Sequence, residues 1–166
     1  NYFMERFKKC DEATYLSDKQ SGTYMAERKT IRLTEEQTAQ INAMAQDNDS
    51  SMFAVLMTLS ATYFSRVKMN VKKFYIGTPV LNRAGIKEWN TAGMFINTVP
   101  FLAEIDNTKT FCENLQIATD NIMSLLRHQH YNYEQLLSGL RKEYNFTEKL
   151  YDVILSYQNA KTGAKQ

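Results

Sequence analysis

Two short runs with strand character sit on either side of a polar loop, and each breaks its own pattern in a way that narrows the fold. The first is Ile76-Gly77-Thr78-Pro79-Val80-Leu81-Asn82-Arg83 and the second is Thr91-Ala92-Gly93-Met94-Phe95-Ile96-Asn97-Thr98-Val99-Pro100. The loop between them carries the chain's only Trp. Gly inside a strand marks close approach of another backbone or a ligand, and Pro confines a strand to an edge or to its end. Asn97-Thr98 interrupts an otherwise apolar run. Two readings of Asn97 stay open: a polar side chain facing a ligand, or an ordinary strand residue whose amide finds a backbone partner.

The chain's 166 residues fit one domain with a real core. Apolar residues make up 43% and charged residues 23%, with a net charge of +2 and both signs interspersed. That balance argues against a nucleic-acid partner, and the cluster Lys68, Lys72 and Lys73 reads as a solvated helix end. Cys10 and Cys112 lie too far apart in sequence to suggest a disulfide framework, which points to a reducing cytoplasm. The most apolar run, Met52 to Phe64, is too short to span a bilayer, so no membrane is expected. The chain opens with charged, helix-like sequence rather than an apolar run, so no signal peptide is expected, and it begins at Asn1 without an initiator Met inside a helical pattern, as a piece cut from something longer would.

Tyr2, Phe3 and Phe7 predict a short helix over Asn1 to Lys9, followed by a polar connector from Asp11 to Gly22. Met25 to Leu33 alternates and predicts a weak edge strand, although Glu27 and Lys29 share the apolar face. Thr34-Glu35-Glu36-Gln37 is a capping box opening a helix that buries Ile41, Met44 and Ala45 and ends near Asp47-Asn48. Ser51 caps a helix from Met52 to about Lys68, apolar almost all round and so expected in the core. Lys73 to Val80 reads as a strand with Phe74, Ile76 and Val80 on one face. Met94 to Ile105, apolar on both faces, reads as an interior strand covered on both sides.

Thr110-Phe111-Cys112-Glu113 is a second capping box, with Phe111, Leu115, Ala118, Ile122 and Leu126 forming the inner stripe. Asn132-Tyr133-Glu134-Gln135 starts another helix, with Tyr133, Leu136, Leu137 and Leu140 inside. After a polar break at Lys142 to Lys149, Leu150 to Tyr157 reads as a further interior strand. The mixture predicts a layered α/β domain with helices covering a mixed sheet.

The residue chemistry offers no self-sufficient catalytic set. His128-Gln129-His130 places two imidazoles on different sides of a helix with no further ligand nearby, so metal binding is not expected. A helix C-terminus, where His side chains meet exposed carbonyls, is the expected reading. No Gly-x-Ser-x-Gly elbow occurs, neither Cys has a His beside it, and the six glycines form no phosphate loop. Glu134 suits a general base by type, but the first turn of a helix accounts for it as well.

Taken together, four segments resemble the condensation domains of nonribosomal peptide synthetases. Ile76 through Arg83 looks like that family's Gly-x-Pro-x-x-x-Arg strand end, with Gly77 and Arg83 in place. Ala92 through Thr98 looks like its Gly-x-Phe-x-Asn-Thr segment, with Gly93, Asn97 and Thr98. His128 through Glu134 is similar to its His-Gln-x-x-Pro-Phe-Glu motif, keeping His128, Gln129 and Glu134, with Tyr133 at the Phe position. Leu150 through Gln158-Asn159 resembles the strand closing the family's second half. Three departures stand out: Leu102 falls where the family has an Arg, Asn132-Tyr133 replaces Pro-Phe, and an Arg- and Pro-containing segment is not recognisable in Glu143 to Lys149.

The resemblance implies a fold like chloramphenicol acetyltransferase and other CoA-dependent acyltransferases, with two similar subdomains in a V and a reaction tunnel between them. On that reading residues 1–166 are the C-terminal subdomain, and the active-site motif His-His-x-x-x-Asp-Gly belongs to an N-terminal subdomain of the same polypeptide. Donor and acceptor carrier domains, each bearing a 4'-phosphopantetheine arm, would be the other partners. Asn97, Thr98, Gly93 and Gly77 would face the tunnel, with the Asn97 amide toward a substrate carbonyl or a pantetheine amide. Arg83, His128, Gln129, Tyr133, Glu134, Gln158 and Asn159 would hold the frame, and the Leu81 to Ala92 loop would form the floor crossing to the other half.

Within the same fold, epimerisation, heterocyclisation and a free-standing acyltransferase are alternatives. A non-catalytic scaffold that kept the fold is another. An isolated half-domain would expose an apolar face and self-associate.

Overall fold

The computed structural model describes residues 2–10, 15, 25–68, 71–83, 85–146 and 149–158. Its elements run α1 (Tyr2–Phe7), α2 (Glu35–Asp47), α3 (Met52–Val67), β1 (Lys73–Val80), α4 (Ile86–Trp89), β2 (Asn97–Glu104), α5 (Phe111–Leu126) and α6 (Tyr133–Tyr144). The connector expected at Asp11 to Gly22 lies, apart from Tyr15, outside the described residues.

Helix starts follow local chemistry. Thr34 accepts from the Gln37 amide at 3.1 Å while Gln37 Oε1 accepts from the Thr34 amide at 2.9 Å. Thr110 and Glu113 form the same reciprocal pair. Ser51 accepts from the Ala54 amide, and Asn132 from the Glu134 and Gln135 amides. Each pairing satisfies donors that the first turn cannot satisfy internally.

β1 and β2 pair antiparallel with Gly77 opposite Pro100 and Val80 opposite Asn97. On the other side of β1, Gly77 makes a parallel bridge to Ile154: its N–H donates to Val153 and its carbonyl accepts from Leu155, both at 2.9 Å. The sheet is therefore mixed. Both prolines sit where the missing N–H costs nothing. Gly77 directs its backbone groups away from β2, so Pro79, two residues on, does the same, and Pro100 opposite Gly77 faces the outer edge of β2.

One core cluster lies between α2, α3 and α5 and the sheet face bearing Phe74, Ile76, Phe101 and Ala103. A second gathers Tyr75 and Leu102 with Phe3 and Phe7 of α1 and Leu136, Leu137 and Leu140 of α6. Val80, expected with Phe74 and Ile76, instead joins the second cluster together with Val99 and Leu125. Glu104 ties the layers together: it meets Lys73 at 3.2 Å, Arg6 at 3.6 Å and the Asn121 amide at 3.1 Å. Lys73 thus belongs to an ion-pair network rather than to a solvated helix end.

Several expectations are corrected by tertiary context. Met25 to Leu33 forms no strand: Met25 is 91% and Ile31 88% exposed, and an alternating face shared with Glu27 and Lys29 has too little apolar surface to dock. α3 is buried on one face only, through Ala54, Val55, Met57, Thr58, Ala61 and Ser65, while Leu59, Tyr63 and Val67 are exposed on its outer side. Met44 is likewise exposed on α2, and Leu125 rather than Leu126 ends the inner stripe of α5. β2 is covered on both faces but begins only at Asn97 and has β1 as its one neighbour among the described residues. Leu150 to Tyr157 reduces to the bridge at Ile154, which is exposed, because the segment contacts β1 over about one residue pair.

Candidate functional site

The site is built where β1 ends, β2 begins and the α5–α6 turn meets both. Asn82 takes a left-handed conformation (φ 54°), which Asn tolerates better than most residues, and this bends the chain out of β1. Its backbone N–H donates to Gln129 Oε1 at 3.1 Å. Arg83, next in line, turns its guanidinium across the loop. It donates to the carbonyls of Glu88, of Thr91 at 2.8 Å and of Gly93 at 3.0 Å, and lies 4.1 Å over the Phe95 ring. The loop holds one helical turn, α4, started by Gly85, whose N–H donates to Glu88 Oε2. Ile86, Trp89 and Met94 point outward from it, and Met94 is 93% exposed.

Asn97 opens β2 opposite Val80. Its Nδ2 donates to the carbonyls of Gln129 at 2.8 Å and Tyr131 at 3.0 Å. Both amide hydrogens are therefore engaged by backbone 32 and 34 residues away. Of the two readings left open by the sequence, the geometry supplies the backbone partner. Thr98 follows, half-buried, opposite Pro79.

The turn that Asn97 holds carries the two imidazoles. His128 Nδ1 meets the Ser124 carbonyl at 2.8 Å, the helix-end arrangement, and its ring stacks flat on Tyr2 at 4.1 Å. Tyr2, Phe3, His128, His130, Tyr131 and Gln135 line an open cavity of about 280 Å³ beside it. Among the described residues no group of His, Cys, Asp or Glu is placed to hold a metal ion. Glu134 is exposed in the first turn of α6.

Tyr133 reaches back to the last segment: its Oη accepts from the Leu150 amide at 3.2 Å, and its ring packs against Tyr151 at 5.2 Å. Burial pushes both phenols up, Tyr151 to about 12, so both stay neutral across the working range. The Tyr151 ring explains Gly77. A Cβ at that position would lie 2.4 Å from Cε2 of Tyr151, so the glycine admits a ring rather than a ligand. Gln158 is exposed, and Asn159 lies outside the described residues. Leu102, at the family's Arg position, is buried in the second core cluster.

Several of the site residues thus fall into one connected frame, which Glu134 and Gln158, both exposed, do not join. Gln129, Asn97 and Asn82 meet directly; Arg83 ties the loop; Tyr133, Tyr151 and Gly77 tie the final segment. Asn82, Phe95, Tyr151 and Tyr2 carry no site role in the sequence reading. Only Asn82 carried a usable signal, as an Asn at a strand end before the loop.

The Condensation domain family model matches residues 1–166. The chain is 32% identical to surfactin synthase subunit 1 of Bacillus subtilis (strain 168) over 159 residues, 95% of this chain and 4% of that protein. It is 30% identical to a plipastatin synthase of the same organism over 132 residues, 78% of this chain and 4% of that protein. Among solved structures, the first condensation domain of the CDA synthetase superposes with a TM-score of 0.75 at 18% identity, over 93% of this chain and 33% of that one. The condensation domain of the Monacolin K polyketide synthase MokA gives 0.71 at 17%, over 92% and 39%. The chain therefore spans about a third of those solved chains and a small fraction of the curated relatives. No helix among the described residues is long and apolar enough to cross a membrane. With the model matched from end to end and the fold shared, this chain belongs to the condensation-domain family of the nonribosomal peptide synthetases.

Proposed function

We propose that residues 1–166 are the C-terminal subdomain of a condensation domain and form one wall and the floor of its acyl-transfer chamber. The observation that carries this reading is the superposition of nearly the whole chain on one third of a solved condensation domain. In the reaction so assigned, the amine of a carrier-bound aminoacyl group attacks the thioester carbonyl of a carrier-bound donor. A C–N bond forms, the C–S bond breaks, and the amine proton leaves with the departing pantetheine thiol. The imidazole that orients or deprotonates the amine belongs to the His-His-x-x-x-Asp-Gly motif of the partner subdomain, so the isolated chain is inactive.

The contribution of this half is positional. Asn97 acts as an anchor: with its N–H groups on the Gln129 and Tyr131 carbonyls, it places the His128–Tyr131 turn against the start of β2. Thr98 sits at the mouth of β2, and Gly93 on the loop gives its carbonyl to Arg83. The loop bearing Ile86, Trp89 and Met94 is the floor, and its exposed apolar side chains suit burial against the N-terminal half. Donor and acceptor carrier domains, with their phosphopantetheine arms, complete the assembly. Such a machine works in the cytoplasm, where thioesters and their carriers are made.

The test is transfer between loaded cognate carriers by the parent synthetase. Dipeptidyl product formed by the parent, and not by residues 1–166 alone, supports the reading. No product from an intact parent with cognate carriers sinks it in favour of a scaffold.

A further inference from the structure

We infer that Arg83 is a positioning residue that holds the 85–95 loop as a preformed apolar prong before its partner surface arrives; this rests on the floor role proposed above. The loop has no core of its own. Ile86 is 81% and Trp89 59% exposed, and α4 is a single turn. A segment of that kind, left to itself, samples many conformations. Arg83 removes that freedom by gripping both limbs of the loop at once. One limb gives the Glu88 and Thr91 carbonyls and the other gives Gly93, while the Phe95 ring backs the guanidinium at 4.1 Å.

These acceptors are spread over three residues and need a planar fork. An ammonium on a flexible stem supplies the charge but reaches one or two of them at a time. The left-handed turn at Asn82, fixed by Gln129 Oε1, aims the guanidinium. The loop is thereby connected to the same frame as the His128–Tyr131 turn. Pre-ordering lowers the entropic cost of docking the prong on the other half, and so keeps the chamber floor closed for a larger fraction of the time.

The experiment uses the parent synthetase with Arg83→Lys, Arg83→Gln and Phe95→Leu. Amide hydrogen exchange of the 85–95 peptide is read beside that of β1 and β2, together with carrier-to-carrier transfer. Arg83→Lys and Arg83→Gln should shift a closed–open balance poised near even by about tenfold, equivalent to about 1.4 kcal/mol, so that the loop exchanges about threefold faster with the strands unchanged. Transfer kcat should fall about threefold at unchanged carrier KM, since the closed fraction drops by the same shift. Phe95→Leu keeps the hydrogen bonds and should loosen the loop less, which preserves a readout if an Arg83 variant fails to fold. Unchanged loop exchange in the Arg83 variants overturns the inference, as does full activity of Arg83→Lys, which would make Arg83 a point charge. Loss of transfer in the unmutated parent strikes the chamber reading instead, and leaves loop exchange to decide the role of Arg83.

Discussion

Replacing Asn97 separates an anchor from a substrate ligand. In the wild type its Nδ2 donates to two backbone carbonyls at 2.8 and 3.0 Å, in a half-buried position at the start of β2. Asn97→Ala removes both bonds and leaves the Gln129 and Tyr131 carbonyls to water or to nothing. At about 1 kcal/mol per bond, with partial solvent access, the loss is about 1–2 kcal/mol. Asn97→Asp is nearly isosteric but places a carboxylate where two carbonyl oxygens converge. At neutral pH it must therefore be worse than Ala, by about 1 kcal/mol or more.

The sign of its pH dependence follows. Burial among acceptors favours the protonated acid, so the folded pKa of the introduced Asp is raised. The resulting stabilisation is present below the ordinary aspartate value and is lost as pH rises through the folded one. Urea unfolding of the three proteins at pH 7 and at about pH 4 checks this, with Asp below Ala at neutral pH and recovering on acidification. Asp equal to or above Ala at neutral pH, with no recovery in acid, would refute the anchor geometry. Turnover of the parent enzyme should fall in both variants in step with loop and turn disorder rather than with loss of substrate affinity.

Three other outcomes are expected. Gly77→Ala drives a Cβ to 2.4 Å from the Tyr151 ring and should cost about 1–3 kcal/mol by thermal denaturation; in a Tyr151→Ala background that cost should largely vanish, and additivity would count against the clash. Burial by itself raises the Glu104 pKa, but hydrogen bonds from Asn121 and Lys73 and the charges of Lys73 and Arg6 outweigh it and bring it below 4.5. A depressed acid stabilises above its ordinary value, so the advantage of wild type over Glu104→Gln should hold at neutral pH and shrink as pH falls through the folded value, read by urea midpoints; an advantage that grows in acid would show the network is mis-assigned. The isolated chain should self-associate by light scattering, and Ile86→Ser with Trp89→Ser should reduce it; unchanged association would place the sticky surface elsewhere.

What was legible in the sequence was what is decided within a few residues. The caps at Thr34, Ser51, Thr110 and Asn132 read correctly because donor and acceptor lie within one helical turn. The strands β1 and β2 were visible in the two strand-like runs, while their pairing was not. The exposed side of α3 and the unpaired Met25 to Leu33 were not, since they depend on how many layers cover each element, which no local pattern records. Gly77 announced a close approach without naming the Tyr151 ring, 74 positions on. Asn97 announced a polar need without showing that two carbonyls beyond α5 meet it.

These limits have a common shape, and it bears on why the recognisable segments are recognisable. Several of their side chains bond to the backbone of another such segment: Asn97 to Gln129 and Tyr131, Gln129 to Asn82, Tyr133 to Leu150, and Thr78 to Leu155. Gly77 adds its two backbone bonds to the same final segment. A backbone carbonyl or N–H is indifferent to the residue that bears it, so the side chain is constrained while its backbone partner is not. Such a network leaves a few fixed letters in an otherwise free sequence. It also describes a frame, in which the motif residues hold one another in place and present surfaces. That division of labour suits the half-domain proposed above, whose reactive imidazoles would be contributed from across the chamber.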